Sequence, residues 1–464
     1  MIAALLILAG ALLLAWPVVL NGYPLVFIDT VSYLGQTLFP EWPWDKTPAY
    51  GAALHLFHWG VSLWPAPLAQ VLMLSHLLWL AERAAWQDVT VPRHLLVCAA
   101  LAALTSAPWF ATTLMPDILA AIGPLCLLLL AFARDRLSGR EAAWLTLLGA
   151  FAVAAHLSHL PTALAVVVVA ALFGGGLMAP LRAALPVGLA VAGLVGANAW
   201  AFGQATLSPH GAVFLLARLQ ADGPAAATIR AHCPAAGWHL CAFAARLPMD
   251  SDAFLWDPEA PPNRTADGRP IAMGGMRLAP EAAEILRLTL RERPLEVAEA
   301  MLHNTIAQLG RAEVGDTLGN AHLAASVRRA IARLPPGELA AFLTGAQMRG
   351  TLREEAAPVL ALHRPVLLAS APLALLALLL AAWQRDRVRG GLVAGMLVAV
   401  VANAFATGAL SGPHDRYQAR IVWLVPLAAM LGLAPRLGTG EAEAGRIRAR
   451  MAAWQAAGPS PPAA

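Results

Sequence analysis

The stretch ILAAIGPLCLLLLAFARDRLSGREAAWLTLLGAFAVAAHLSHLPTALAVVVVAALF, residues 118–173, decides the fold class. Three apolar runs follow one another, separated by an arginine-rich connection at 134–140 and by the short polar connection HLSHLP at 156–161. Each run is close to the length that crosses the hydrocarbon core of a bilayer as a helix. The stretch therefore predicts three successive membrane-spanning helices.

The composition of the whole chain agrees with that interpretation. Of the 464 residues, 59% are hydrophobic and only 13% are charged, and the net charge is +4. A soluble domain carries about 25% charged residues, so a soluble multi-domain enzyme and a disordered chain are both excluded. The basic residues fall in short clusters between apolar runs, which orients a membrane protein and gives no reason to expect nucleic-acid binding.

Ten apolar runs predict ten transmembrane helices, and we expect the first to be retained as a helix. One set of connections, with the C-terminal tail, holds 13 arginines, whereas the opposite short connections hold three basic residues. The positive-inside rule then places both termini in the cytoplasm. The predicted spans are 2–20, 66–81, 94–110, 118–133, 142–157, 161–178, 184–202, 365–383, 391–410 and 419–434.

The predicted fold is thus an all-α polytopic membrane protein. It has a seven-helix module at 1–202 with a first outer loop at 21–65, and an extracytoplasmic, mostly helical domain at 203–364. Three further helices at 365–434 precede a disordered cytoplasmic tail at 435–464. Apolar periodicity within the outer domain predicts helices at 279–293 and 294–310.

The cysteines divide into two pairs. Cys233 and Cys241 lie in a turn-rich part of the outer segment, where disulfides persist, so they could form a disulfide. Cys98 and Cys126 lie in apolar runs and are interpreted as packing residues.

Two acidic residues lie at the outer ends of predicted spans, where ionisable groups are candidates for function. Asp29 follows the first span within an apolar and aromatic stretch, with Tyr33 one turn later. Partial desolvation would raise the pKa of Asp29 and suit it to general-base chemistry, and the alternative is a helix N-cap. Asp117 lies at the start of the fourth span. There it could simply be stabilised by the helix dipole, or it could face Asp29 across an outer vestibule.

Basic residues on the same side suggest an anion site. Lys46 is the only lysine in the chain, lies near Trp42 and Trp44, and offers a point charge for a phosphate oxygen. Paired arginines can form a forked phosphate clamp, and the alternative is a salt-bridged helix end. The candidates for that clamp, with a neighbouring histidine, are His414, Arg416 and Arg420.

His156 and His159 lie one turn apart between the fifth and sixth predicted spans. This spacing could supply part of a metal site, but two histidines alone are more typical of structural residues. A divalent cation therefore remains an open expectation.

The segments Asp29–Tyr33, Lys46-Thr-Pro-Ala-Tyr50 and Met115-Pro-Asp117 resemble the GT-C superfamily of integral-membrane glycosyltransferases. The resemblance is to the protein O-mannosyltransferase and aminoarabinose transferase group, and it covers residues 1–200. It implies sugar transfer from a polyprenyl-phosphate carrier to a glycan, lipid or protein acceptor on the outer face of a bacterial inner membrane. Asp29 and Asp117 would then be catalytic. The residues that would bind the substrate or its phosphate are Tyr33, Lys46, Tyr50, His414, Arg416 and Arg420.

Three other functions stay open at this point. An O-antigen ligase or polymerase would depend on Arg218, Arg246, His303, His414 and Arg416 more than on Asp29. A transporter of a lipid-linked precursor would tolerate loss of any one outer carboxylate. A structural subunit of an envelope-assembly complex would use the outer domain for docking.

Overall fold

A computed structural model describes residues 2–39, 43–87 and 89–434. Within those ranges the chain is 76% helix and contains no strand, which confirms the predicted all-α class. The expected disordered tail at 435–464 and Trp42 lie outside the described residues.

The first half of the described chain forms eleven α-helices, several of which begin at a proline in the first turn, where its missing N–H costs nothing. Their bounds are α1 Ile2–Leu14, α2 Trp16–Asn21, α3 Thr30–Leu38, α4 Pro48–His58, α5 Pro65–Trp86, α6 Val91–Leu104, α7 Ala107–Thr112, α8 Leu119–Phe132, α9 Gly139–Ala155, α10 His159–Phe173 and α11 Met178–Phe202.

Twelve further α-helices follow, and a short π-helical turn, Phe405–Ala409, extends the third from the last. Their bounds are α12 Ala212–Ala221, α13 Pro224–His232, α14 Ser251–Trp256, α15 Gly274–Glu292, α16 Pro294–Leu309, α17 Val327–Ile331, α18 Pro336–Thr344, α19 Ala346–Arg349, α20 Leu352–Trp383, α21 Arg387–Ala404, α22 Asp415–Val422 and α23 Leu424–Leu433.

Three of these helices are long and apolar enough to cross a membrane: Met178–Phe202, Leu352–Trp383 and Arg387–Ala409. Every one of the ten predicted segments coincides with helix, but several are interrupted. The first run divides between α1 and α2 because Pro17 lies in the first turn of α2. Length and composition alone therefore establish three candidate spans among the described residues.

Helix α8 lies at the centre of the bundle and packs against α9, α10, α11 and α21. Glycines of α21 allow the closest of these approaches, since a Cβ at Gly391 would lie 2.3 Å from the Phe132 ring and one at Gly395 would lie 2.0 Å from Leu128. Small residues at such positions let helices pack closely inside membranes. The core is thus a tightly packed helical bundle.

The predicted outer domain 203–364 does not share one hydrophobic core. Its first part, from α12 to the start of α16, has a core of its own, in which Val213, Phe254 and Ile285 are buried. The disulfide between Cys233 and Cys241, predicted from the sequence, lies in this part. The later part, from Val314 to Ala356, is buried in the main core instead.

Helix α16 buries polar residues and exposes apolar ones. Asn304 and Gln308 are buried, whereas Leu302 and Ile306 are each 62% exposed. The helix packs along the Phe405–Ala409 turn, where a Cβ on Gly408 would lie 2.5 Å from the Asn304 carbonyl oxygen. The predicted helix at 294–310 is therefore present, but its apolar face points away from the protein.

Candidate active site

The segment before α3 sets the position of Asp29. Leu25 pairs with Thr113 in an isolated parallel bridge, and the Leu114 N–H donates to the Leu25 carbonyl at 2.8 Å. The Thr30 hydroxyl donates to the Leu114 carbonyl at 3.1 Å. Asp29 occupies the N-cap position of α3, but its side chain accepts no capping hydrogen bond, which leaves the carboxylate facing the neighbouring cations.

Six charged side chains form a continuous series of alternating sign, which we call the ion-pair chain. Its successive distances between charged atoms are 2.8, 3.4, 3.8, 3.5 and 3.3 Å. The members, in order, are Asp45, Lys46, Asp29, Arg416, Asp117 and Arg420. The structure thus brings together five candidates from distant parts of the sequence and adds Asp45.

The loop that carries Lys46 is fixed on both sides. The Thr47 hydroxyl donates to the Ala155 carbonyl at the end of α9, and the Gln36 amide donates to the Thr47 carbonyl at 3.0 Å. Gly51 allows α4 to approach α3, because a Cβ there would lie 2.6 Å from the Tyr33 carbonyl oxygen. Close packing of α3 against α4 therefore places Lys46 beside Asp29.

The expected rise in the pKa of Asp29 is wrong. Burial does raise it, but the positive charges of Lys46 and Arg416 outweigh burial and hold the pKa of Asp29 below its usual value. For Lys46, burial lowers the pKa, but Asp29 and Asp45 outweigh it and hold the pKa above its usual value. Both groups are therefore charged at neutral pH, and Asp29 is a weak base in this state.

The guanidinium of Arg416 has unused hydrogen-bonding capacity and forms no short hydrogen bond with its carboxylate partners. Its guanidinium lies 4.1 Å from the Phe27 ring centroid and 5.1 Å from that of Tyr417. Its two carboxylate partners are 3.5 and 3.8 Å away, beyond the usual length of a charge-assisted hydrogen bond. The buried Nη1 donates no hydrogen bond within the described residues, so an anion could take up these donors.

Arg420 forms more hydrogen bonds than Arg416, although its buried Nε also has no partner within the described residues. It is 1% exposed, and it donates to Asp117 at 3.3 Å, to the Ser158 hydroxyl at 2.9 Å and to the Asn403 amide oxygen at 3.2 Å. Asp117, itself buried, is thereby placed between Arg416 and Arg420. These contacts indicate that Arg420 anchors Asp117, whereas Arg416 is held by two longer ion pairs.

His156 and His159 lie next to this anchor. His156 Nδ1 lies 2.8 Å from the Ser158 hydroxyl, and His159 Nδ1 lies 2.7 Å from the Ala152 carbonyl. No group of three or more His, Cys, Asp or Glu residues suited to a metal ion occurs among the described residues. Both histidines thus lie within hydrogen-bonding distance of protein atoms.

His414 is attached to the outer part of the protein. Gln308 of α16 accepts from the His414 N–H at 2.9 Å and donates to the His414 carbonyl at 2.8 Å. His414 Nε2 lies 3.2 Å from Asp252 Oδ2. The hydrogen bond to His414 and the positive charges of Arg218 and Arg416 hold the pKa of Asp252 below its usual value. The negative charge of Asp252 in turn acts to raise the pKa of Asp29.

Tyr33 and Tyr50 connect the ion-pair chain to an apolar cavity. Their buried rings meet edge to face at 5.0 Å, and the Tyr50 hydroxyl donates to Gln70 at 2.7 Å. Tyr50 and Gln70 form the polar end of a cavity of about 260 Å³. Its other walls are apolar, and Leu147 among them is 64% exposed, so the cavity opens sideways at the surface of the helical bundle.

Sequence reasoning missed Asp45, Asp252 and Ser158. Asp45 stands directly before the single lysine, so this pair was visible in the sequence. Nothing in the sequence links Asp252 to His414, because 161 positions of chain separate them. In comparisons with protein-family models, curated proteins and solved structures, no match to this chain was found.

Proposed function

We propose that this chain is a glycosyltransferase that moves a sugar from a polyprenyl-phosphate carrier to an acceptor on the outer face of a bacterial inner membrane. The observation that carries the proposal is Arg416, a buried guanidinium with an unused donor beside two carboxylates, one of which also pairs with Lys46. The proposal includes a GT-C-like arrangement of ten transmembrane helices with both termini cytoplasmic. The motifs around Asp29, Lys46 and Asp117 support that arrangement.

The donor would occupy two connected regions. The sideways-opening cavity below Tyr50 is almost wholly apolar and suits part of a prenyl chain entering from the bilayer. Lys46 and Arg416 would bind the phosphate, the lysine as a point charge and the arginine through its fork. Tyr50 lines the cavity, its ring contacts that of Tyr33, and Tyr33 is close enough to Lys46 for an electrostatic interaction. This arrangement suits a ligand that carries both a prenyl chain and a phosphate.

The reaction is an inverting displacement at the anomeric carbon. The acceptor oxygen forms a bond to that carbon, and the bond from the carbon to the carrier phosphate breaks. The phosphate leaves with the bonding electrons, and its growing negative charge is stabilised by Lys46 and Arg416. The acceptor proton passes to Asp29 and then to solvent.

Donor binding would also activate Asp29. In the free protein Lys46 and Arg416 hold its pKa down. A bound phosphate competes for the same two cations, so the carboxylate becomes more basic when the donor is present. The base strength of Asp29 thus depends on whether the donor is bound, and Asp29 is a poor base when the donor is absent.

Binding of polyprenyl phosphate to the protein in lipid nanodiscs tests the proposal. Saturable binding that is lost in Lys46→Ala and Arg416→Ala, and kept in the exposed control Arg269→Ala, would support it. Sugar transfer from polyprenyl-phosphate sugars should then be abolished in Asp29→Asn while carrier binding persists. Absence of carrier binding by folded wild-type protein would overturn the proposal.

A further inference from the structure

A second cavity lies in the outer part of the protein, away from the apolar cavity below Tyr50. It has a volume of about 310 Å³ and mixes apolar and polar lining. We call it the indole cleft, since Trp44 and Trp256 both line it. The lining of the cleft also includes Met273, Asn263 and the paired glycines Gly274–Gly275.

Two separate segments build the indole cleft. Trp44 comes from the first outer loop and stacks on Phe214 of α12 at 5.6 Å, with Trp256 of α14 at 6.0 Å. Gly275 makes this approach feasible, because a Cβ there would lie 2.6 Å from the Trp44 ring. The loop that carries Lys46 is therefore fitted into the outer domain at this cleft.

The indole cleft is connected to the ion-pair chain by two short routes. Trp44 directly precedes Asp45 and Lys46 in the sequence. In α14, Asp252 approaches His414 at 3.2 Å, and Trp256 follows four residues later. Four residues of helix rise about 6 Å, so α14 links the cleft to His414, which stands two positions before Arg416 in the sequence.

The polar side chains that line the indole cleft already form hydrogen bonds or ion pairs with neighbouring residues. The Asn263 amide donates to the carbonyls of Leu255 and Asp257. Arg264 donates to two carbonyls and pairs with Glu259. The lining exposes aromatic and apolar surface to a ligand, since Trp256 is 50% and Met273 61% exposed, and the lining residues include no unpaired charge.

We propose that the indole cleft is the acceptor subsite and that it binds a saccharide. A pyranose ring presents a carbon–hydrogen face that packs on an indole and an edge of hydroxyl groups that stays hydrated. These properties fit amphipathic aromatic walls without an unpaired charge. This inference rests on the proposed function, and it names the acceptor class as a glycan. A hydroxyl of the bound sugar would then face Asp29.

The test is binding of purified, detergent-solubilised protein to an array of neutral oligosaccharides of hexoses and N-acetylhexosamines, beside an array of peptides. We expect wild-type protein to bind at least one oligosaccharide. Trp256→Ala should weaken that binding about tenfold or more, as for removal of an aromatic anchor. Trp256→Phe should keep part of it, and the exposed-tryptophan control Trp383→Ala should change nothing.

Carrier binding measured on the same preparations separates the two proposals. Polyprenyl-phosphate binding without binding to any oligosaccharide, or oligosaccharide binding unchanged in Trp256→Ala, would overturn the acceptor subsite and leave the proposed function standing. Trp256-dependent binding of peptides alone would also overturn it. Trp256-dependent oligosaccharide binding without carrier binding would keep the cleft as a glycan site and refute the transferase.

Discussion

Arg416 Nη1 lies 3.5 Å from Asp117 Oδ2, close enough for attraction between charges but too far for a short charge-assisted hydrogen bond. Asp117 meets Arg420 at 3.3 Å, and that second arginine is fully enclosed. Asp117 therefore contacts both Arg416, which has an unused hydrogen-bond donor, and Arg420, whose hydrogen bonds connect several helices. Different consequences follow for substitutions of each residue.

Replacing Arg416 should weaken binding of polyprenyl phosphate without unfolding the protein. We expect Arg416→Ala to lose about tenfold or more in affinity, because a charge-assisted pair to phosphate is lost. Arg416→Lys should recover only part, since a point charge cannot form the fork. Titration in nanodiscs measures both, with Arg269→Ala as the exposed control, and equal affinities for all variants would contradict this assignment.

Replacing Asp117 should instead destabilise the fold. Asp117→Asn removes the ion-pair partner of the buried Arg420 and one of the two carboxylate partners of Arg416, and breaking a buried ion pair costs about 3–5 kcal/mol. Asp29→Asn should cost much less, because the Asp29 side chain is 31% exposed whereas that of Asp117 is 3% exposed. Thermal melts of the two variants in one detergent would check this, and similar melting temperatures would show the reasoning wrong.

The stability difference between wild type and Asp29→Asn should depend on pH in acid only. The pKa of Asp29 is lowered in the folded protein, so its contribution is fully present above the unfolded value of about 3.9 and is lost as pH falls through the lowered folded pKa. The difference in melting temperature should be constant from about pH 8 to pH 5, and it should disappear as the pH falls below about 4. A difference that shrinks between pH 7 and pH 5 would indicate a raised pKa instead.

Gly51→Ala should disturb the packing of α3 against α4. Its Cβ would lie 2.6 Å from the Tyr33 carbonyl oxygen and 2.0 Å from the Gln36 amide oxygen, and such overpacking costs about 1–3 kcal/mol. A lowered melting temperature is expected. Gly188→Ala in α11 is the matched control, because no atom lies within 4 Å of its added Cβ, and an equal effect of both changes would exclude the packing explanation.

The exposed face of α16 should contact lipid. Ile306 and Leu302 are exposed, and α16 packs against α21 and the Phe405–Ala409 turn, where Val401 and Phe405 are exposed as well. A nitroxide at position 306 in bilayers should be more accessible to oxygen than to a water-soluble nickel chelate, and one at Glu299 should show the reverse. Labelling is selective because the native cysteines are buried or disulfide-bonded, and greater nickel accessibility at 306 would place this face in water.

The helices and five members of the ion-pair chain could be predicted because both depend on local signals. Apolar runs predict helices, and Asp29, Lys46 and Asp117 stand out since charges are costly at the ends of such runs. The direction of the shift in the pKa of Asp29 could not be predicted in this way, because it depends on distances to Lys46 and Arg416, which come from other segments. The outward apolar face of α16 was equally hidden, because periodicity shows that a helix has two faces and not which one is buried.

The candidate site can form only late in synthesis, because the segment that precedes Asp29 is held by Gln347 and Glu338. Gln347 donates to the Val26 carbonyl at 2.7 Å, and Glu338 accepts from the Tyr23 hydroxyl at 2.7 Å. Residues near the start of the chain thus obtain their partners more than 300 residues later. A ribosome must complete most of the polypeptide before the segment that carries Asp29 is held in place, so a prematurely terminated chain would enter the membrane without a formed site.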